Sequence, residues 1–568
     1  MKKRTVIIII LLLFSVCSLR AYGALANQGK NGLRLLTIER ILRLDDEEID
    51  MGTAALLLSR EWGTRKTLHI YRGKIDDMAR EILRRMKRNH VGSDYRAIKI
   101  INEYLFDELG FQAVKTADDP EDLFLHVVID KKRGYCLSLS VLYLAIGERI
   151  GLPLYGVVVP GHFFVRYDDG LRRYNIETTS KGAIAPEKHY IEKFKPPKDK
   201  DSLYMKNLSN VQTLGCFFNN LGNSYSDVGE PDNALYYLEK AVEINPTLGE
   251  SHTNLGNIYL RKGFVDDAKD QYIEALRHIG DDAKVRNNLG NAYSQMGYFN
   301  KAVTEYKKSI QLDSDFVDAR RNLANVYRQQ GFFGKAILTL KMAVRIDPKS
   351  SETYRQLGDV YHTQKNYSQG VRYYKKALRL KPDFVDAHIN LAHCYLDMNK
   401  ADDAVEQFGK ALTFDAANSG CYFGLALAYN RLGRLDDEIE TYLELLQIDP
   451  DMTAAWQNLG NAYITAKKYE DAIRQYLWAI ETEPDNSALY YNLGVAYSYM
   501  KDYESALDAN LTAVELSPGN ATAHNGAAIS AYMLKQYDLA GKHADIAVEL
   551  GFEVQKELLK ALKSRFSR

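Results

Sequence analysis

The sequence predicts a mostly α-helical protein in two parts, an N-terminal α+β domain followed by an all-α superhelix of helical hairpins. Two observations lead there. A 34-residue spacing recurs ten times between residues 216 and 555, whereas residues 27–195 lack it and alternate helical with strand-like patterns. A third sets the scale: 568 residues, 46% hydrophobic and 26% charged, are too many for one core and too apolar for a disordered chain. The 74 basic and 74 acidic side chains cancel, which argues against a nucleic-acid partner, since such binders carry a basic face. The local run Arg84, Arg85, Lys87 and Arg88 sits in a helical pattern and reads as a solvated helix face.

Residues 1–26 read as a signal peptide or N-terminal anchor. Lys2, Lys3 and Arg4 precede an uncharged apolar run over 6–16, and small residues follow, which is the layout of a secretory signal. Cleavage fits after Gly23 (Ala21-Tyr22-Gly23) or after Ala26 (Ala24-Leu25-Ala26). The run is shorter than the ~20 residues a membrane span needs. The expectation is therefore an exported protein, periplasmic or secreted, with an uncleaved membrane anchor as the alternative. Cys17 does not read as a lipidation site, because Phe14-Ser15-Val16 puts no small residue beside it. Cys136, Cys216, Cys394 and Cys421 show neither close pairing nor a CxxC, so no metal site, cofactor or disulfide framework is expected. In an oxidising compartment each unpaired thiol needs a role or a hiding place.

Within residues 27–195, the segments 49–62, 74–86 and 95–109 carry apolar residues at helical spacing. After Asp118-Asp119-Pro120 a further helix runs over 123–130. Gly134-Tyr135 breaks the chain, and Cys136 opens a strongly apolar helix over 137–150 that Gly151 and Pro153 end. Strands follow over 155–159 and 162–167 around Pro160-Gly161, and Asp168-Asp169-Gly170 turns the chain into a third strand over 172–177.

This order puts Cys136 at a helix start, His162 at the head of one strand and Glu177 at the end of the next. A helix N-terminus favours negative charge, so it favours the reactive thiolate. A thiolate nucleophile needs an imidazole within hydrogen-bond reach, and the imidazole needs a third group to hold its tautomer. Near ends of two paired strands can converge on a helix packed across them, so the topology permits a Cys136–His162–Glu177 triad. His69, His90, His126 and His189 show no such partner pattern, and none suggests a metal.

Three blocks then carry a resemblance: Arg133-Gly134-Tyr135-Cys136-Leu137-Ser138-Leu139-Ser140, Gly151-Leu152-Pro153-Leu154-Tyr155-Gly156-Val157 and Pro160-Gly161-His162-Phe163. Together they resemble the transglutaminase-like superfamily (papain-type fold), in its bacterial SirB-type branch. The upstream runs Ala54-Ala55-Leu56-Leu57-Leu58 and Ile101-Asn102-Glu103-Tyr104-Leu105-Phe106 are similar to that branch's helical leader, and the likeness spans about residues 45–195. The resemblance implies a Cys–His–Asp/Glu triad for acyl transfer on amides, here at Cys136, His162 and Glu177. Glu177-Thr178-Thr179 departs from the usual Asp. Many members of the branch lack the Cys; this chain has it.

Residues 196–215 read as a linker and lead-in helix. From 216 to 555 a Leu-Gly or Leu-Ala pair recurs every 34 residues, from Leu221-Gly222 and Leu255-Gly256 to Leu493-Gly494, and Ala527-Ala528 continues the register as a tenth unit. A tyrosine lies three residues after the small residue in nine units, from Tyr225 to Tyr497. The small residue lets the first helix of a hairpin approach the second, Leu and Tyr fill the space between them, and prolines such as Pro246 and Pro348 end the second helix. One hairpin cannot bury its apolar face alone, so neighbours must stack. This pattern resembles the tetratricopeptide repeat (TPR), and 556–568, basic and amphipathic, reads as the capping helix of such an array.

Asparagines recur beside the Leu-Gly pair. Asn220, Asn254, Asn288, Asn322, Asn390, Asn458 and Asn492 precede it, and Asn223, Asn257, Asn291, Asn325 and Asn461 follow two positions after the Leu. Asn is a mediocre helix former, so its recurrence asks for a role. An amide both donates and accepts and can pair with an extended peptide backbone, and in TPR arrays the matching face lines the concave groove. The other reading is that these amides bridge neighbouring repeats. The ladder thins at Gln356, Gly424 and Gly526, so peptide binding is expected mainly in the first four repeats. Two functions follow: a cysteine peptidase, amidase or acyltransferase whose repeats recruit a polypeptide, or a non-catalytic interaction scaffold with an inactive transglutaminase-like fold.

Overall fold

A computed structural model describes residues 25–58, 65–114, 120–196 and 203–566. The signal or anchor segment up to residue 24, the end of the first predicted helix, the Asp118-Asp119 turn and residues 197–202 of the lead-in lie outside the described residues. The chain packs as two compact units, one ending at Val326 and the other beginning at Tyr327.

The first unit opens with short helices α1 (Ile38–Ile41) and α2 (Met51–Leu57), then α3 (Arg65–Arg88). α3 starts well before the predicted residue 74, where the apolar stripe first becomes regular. α4 (Ala97–Asn102) continues as a π-helical turn over Glu103–Glu108, where a single predicted helix spanned both. The two-residue strands β1 (Gln112–Ala113) and β2 (Arg133–Gly134) pair in parallel around α5 (Leu125–Lys131). Next come α6 (Cys136–Arg149), β3 (Leu154–Val159), β4 (His162–Asp168), β5 (Arg173–Glu177), β6 (Ala183–Ala185) and α7 (Glu187–Phe194). β3 to β6 form one antiparallel sheet in sequence order. β6 is only three residues long and α7 carries three apolar residues in eight, so neither announces itself in the sequence.

α6 is the centre of the domain. Leu137, Leu139, Val141, Leu142, Leu144 and Ile146 are buried on all its faces, which suits a helix enclosed by neighbours. It packs on α2 and α3 on one side and on β3 and β4 on the other. At its far end Arg149 is fully buried and pairs with Asp50 at 3.1 Å and Asp76 at 2.6 Å. Burial alone would push the Asp50 carboxyl up, but the Arg149 charge and hydrogen bonds from Thr53 and Asn27 hold it below the usual range.

Over residues 203–209 the lead-in is not helical. Met205 N–H donates to Val158 O (3.0 Å) and Leu208 N–H to Gly156 O (2.9 Å), so this segment covers the open edge of β3. α8 (Asn210–Asp227) then starts on the domain itself, with Asp46 accepting from the backbone N–H of Asn210 (3.1 Å) and Val211 (3.0 Å). It forms the first hairpin with α9 (Pro231–Ile244), and α10 (Gly249–Arg261) with α11 (Val265–Ile279) and α12 (Ala283–Gln295) with α13 (Phe299–Leu312) form the next two. A Cβ at Gly256 would stand 2.7 Å from Tyr272 Cε1, which is why the pair needs a small residue. α14 (Val317–Gln329) follows in the same phase.

In the second unit the alternation runs from Phe333–Ile346 to Tyr537–Glu549, and Lys556–Phe566 closes it with Leu558 and Leu562 buried against Ala540, Ala544 and Ala547. Among the described residues no helix is long and apolar enough to cross a membrane.

Candidate active site and groove

Local chemistry sets each of the three predicted side chains. Gly134 precedes α6 because a Cβ there would lie 2.6 Å from Ser138 Oγ. That oxygen accepts the Tyr135 N–H (2.9 Å) in the first turn and donates to Asp122 O (3.1 Å), so the start of α6 is tied down just where Cys136 stands. The two-residue Pro160-Gly161 turn pairs Val159 with His162, and Gly161 takes the positive φ of 69° that the turn needs. Glu177 ends β5, beside Ala183 of β6.

The three meet. His162 Nε2 lies 2.7 Å from Glu177 Oε2, and the imidazole also hydrogen-bonds the Cys136 thiol. With Nε2 committed to Glu177, Nδ1 is the nitrogen left for sulfur. Glu177 is held from both sides: Thr179 N–H donates to Oε1 (3.2 Å), Thr179 Oγ1 donates to the same oxygen, and Tyr190 OH donates to Oε2 (3.4 Å). Phe194, at the end of α7, stacks on the His162 ring at 4.9 Å and an interplanar angle of 3°. Tyr190, Phe194 and Thr179 escaped the sequence reading because nothing in spacing marks a residue that shields or props a triad.

Burial opposes charge on His162, but hydrogen bonds and charge from Cys136 and Glu177 outweigh it and raise the imidazole to about 9. Burial likewise opposes ionisation of Glu177, yet the His162 contact and Thr179 hold its carboxyl below the usual range. The pair is therefore imidazolium and carboxylate at neutral pH. Cys136 is half-buried, whereas Cys216, Cys394 and Cys421 are buried. Burial pushes the Cys394 thiol up to about 11 and that of Cys421 up to about 12, and it raises Cys216 as well. Three thiols are hidden; the one in the triad is not.

A cleft of about 950 Å³ lies over Cys136 and His162, and its far wall is made by the repeats: Asn219, Asn220 and Asn223 of α8, and Glu250 and Asn254 of α10. A second depression of about 380 Å³ shares Asn223 and Asn254 with it and reaches Asn257 and Asn288. Of the predicted asparagines, Asn220, Asn223, Asn254, Asn257 and Asn288 thus line these depressions, but most of the ladder's amides are engaged. Asn257 Oδ1 accepts from Tyr272 OH (2.9 Å) and from Asn288 Nδ2 (2.9 Å) of the next repeat. Asn291 Oδ1 accepts from Tyr306 OH (2.8 Å) and Asn322 Nδ2 (3.0 Å), Asn322 Nδ2 also donates to Asn287 Oδ1 (2.9 Å), and Asn254 Nδ2 donates to Asn219 Oδ1 (3.0 Å). In the second unit Asn390 Nδ2 donates to Asp359 Oδ1 (3.0 Å), Asn458 Nδ2 to Tyr442 OH (3.1 Å), and Asn461 Oδ1 accepts from Tyr476 OH (2.7 Å). Asp359, which the sequence reading passed over, fills the position of Asn257 and Asn291 and accepts from Tyr374 OH at 2.8 Å. Asn223 differs: it is exposed and donates only within its own helix, to Asp227 at 3.3 Å. Asn325 is exposed on α14, and Asn492 is half-buried on the helix Ser487–Met500. The bridging role of these amides is a property of the fold.

An apolar helix carrying Cys, laid across an antiparallel sheet carrying His and Glu, with helical repeats behind, defines a transglutaminase-like domain joined to a TPR array. The sequence comparisons agree. A family model described as the transglutaminase-like superfamily matches residues 69–215, and tetratricopeptide-repeat models match segments from 216–248 to 487–520. A UPF0162 protein of Xylella fastidiosa is 29% identical over 133 residues, covering 22% of this chain and 46% of its own length. A UPF0162 protein of Pseudomonas aeruginosa is 26% identical over 129 residues, covering 22% and 47%. F-box only protein 21 of Homo sapiens is 32% identical over 76 residues, covering 13% and 12%. The chain therefore spans just under half the length of the UPF0162 relatives. Solved TPR structures are also similar, including a Parabacteroides merdae TPR protein (17% identity, 44% of this chain and 98% of that one, TM-score 0.38) and YrrB, titled a TPR protein with an unusual peptide-binding site (22%, 30% and 89%, TM-score 0.27). Residues 69–215 thus carry a transglutaminase-like domain, and tetratricopeptide repeats follow it.

Proposed function

We propose that the chain binds an extended polypeptide along its first repeats and acts on an amide of that polypeptide through Cys136, as a peptidase, amidase or acyltransferase. One observation carries this reading: the cleft over Cys136 and His162 has the asparagine face of α8 and α10 as its other wall. Cys136 Sγ attacks the amide carbonyl and forms the S–C bond of a thioester. The C–N bond breaks, and the proton held on His162 goes to the departing amine. Glu177 keeps the imidazole oriented and charged until then. Water or a second amine next attacks the thioester, His162 taking its proton, and the thiol is released. The backbone N–H groups at the start of α6 supply the dipole for the oxyanion.

The test is alkylation of Cys136 by iodoacetamide at about pH 6, read by mass spectrometry in the wild-type chain and in His162→Ala. An imidazolium partner keeps the thiolate populated, so the variant should label at least about tenfold more slowly. Equal rates would leave the scaffold reading, in which the domain only binds. The buried thiols at 216, 394 and 421 provide internal slow references.

Export is part of the same proposal, and the fold supports one cleavage point over the other. Leu25 is buried and Ala26 N–H donates to Arg149 O at 2.8 Å, so cleavage after Ala26 would discard packed residues, whereas cleavage after Gly23 keeps both of them. Mass spectrometry of the mature N-terminus checks it: a chain beginning at Ala24 is expected, and one retaining residues 1–23 would favour the membrane anchor.

A further inference from the structure

His162 enters its strand through the Pro160-Gly161 turn, and the domain does not hold that turn alone. Gly161 N–H donates to Glu250 Oε1 at 3.0 Å. Glu250 lies in the first turn of α10, in the second repeat, and its carboxyl also accepts a hydrogen bond from Tyr204, in the segment that covers the edge of β3. Glu250 and Asn254 are four residues apart on one helix, hence on one face, and both line the cleft that contains Cys136 and His162. Through this contact one repeat helix carries an asparagine of the groove and touches the residue that precedes the imidazole in sequence.

Resting on the reading given above, we propose that Glu250 is a positioning residue: it holds the Pro160-Gly161 turn so that His162 sits against Cys136, which makes the second repeat part of the catalytic apparatus. A peptide lying along Asn223 and Asn254 then bears on the helix that sets the imidazole, and groove occupancy is felt at the thiol. Burial pushes the Glu250 carboxyl up, against the Gly161 and Tyr204 donors that favour its charged form. What the turn requires is an acceptor at Oε1, and a neutral amide supplies one as well.

The experiment measures Cys136 alkylation by iodoacetamide across pH 5 to 9 in full-length wild type, E250A, E250Q and H162A, with circular dichroism and melting as the folding check. E250A is expected to label about tenfold more slowly, with its pH profile moved toward that of H162A, because a displacement near 1 Å at such a pair costs rate steeply. E250Q should stay within about twofold of wild type, since its Oε1 still accepts from Gly161 and its amide N–H can donate to the Tyr204 oxygen. Should E250A lose its fold, E250D, which keeps the charge but withdraws the acceptor, takes its place with the same expectation. If E250A and E250D label as wild type while H162A is slow, the positioning role is wrong and the triad stands. If H162A itself labels as fast as wild type, the reading of the site fails, whatever Glu250 does.

Discussion

At the scale of single residues, the proposed chemistry rests on how His162 is charged. Its imidazole sits between the Cys136 thiol and the Glu177 carboxylate, and those contacts outweigh the cost of burying a cation. Because the folded value of about 9 lies above the ordinary 6.5, the contact stabilises the fold fully below pH 6.5 and loses that contribution as pH rises through about 9. Glu177→Gln keeps the shape and removes the charge. In that variant the His162 ring resonances should titrate well below the wild-type midpoint when followed by NMR. The stability difference between wild type and Glu177→Gln, measured by urea denaturation, should be large near pH 6.5 and shrink above pH 9. A constant difference across that range would mean the pair does not carry an imidazolium. Glu177 itself was readable from its place at the end of the third strand, but the Thr179 and Tyr190 props were not, because a hydroxyl that supports a carboxylate leaves no periodic trace.

At the scale of elements, the asparagine ladder bridges neighbouring hairpins, and the proposed function gives the same side chains a peptide to meet. The recurrence was legible because a mid-helix Asn stands out against its low propensity. Its use was not, since a bond from Asn288 to Asn257 depends on how two hairpins stack rather than on either alone. Asn257→Ala would strand Tyr272 OH and Asn288 Nδ2 without their shared acceptor, at a cost of about 1–3 kcal/mol. Replacing Asn254, Asn288 and Asn322 together by Ala should therefore lower the melting temperature as well as abolish partner binding. Asn223 separates the two effects, being exposed and bonded only within α8. Asn223→Ala should leave the melting temperature unchanged and weaken binding of a groove peptide by about fivefold, the worth of one lost hydrogen bond. Calorimetry of peptide binding reads this directly, and unchanged affinity would put the peptide elsewhere.

At the scale of the molecule, the two parts were legible for opposite reasons. The array declares itself through period alone, which a single sequence displays completely. The domain declares itself through short blocks, and its dependence on the array was hidden, because Asp46 and Gly161 meet residues some 90 to 165 positions away. That dependence has an energetic form. One continuous core runs from Leu25 through Leu123, Phe124 and Leu137 to Leu214, Phe217 and Phe218 of α8, with Cys136 packed against it. A chain cut at residue 195 loses α8, and fully burying a side chain the size of Leu or Phe is worth about 1.5–3 kcal/mol each. It also bares the edge of β3 that the 203–208 segment covers, leaving unpaired strand groups free to associate. The 25–195 fragment should therefore elute as aggregates in size-exclusion chromatography and bind the dye ANS, while the full chain does neither. A monomeric fragment that melts sharply at the temperature of the full chain would show that the domain completes its core without the repeats.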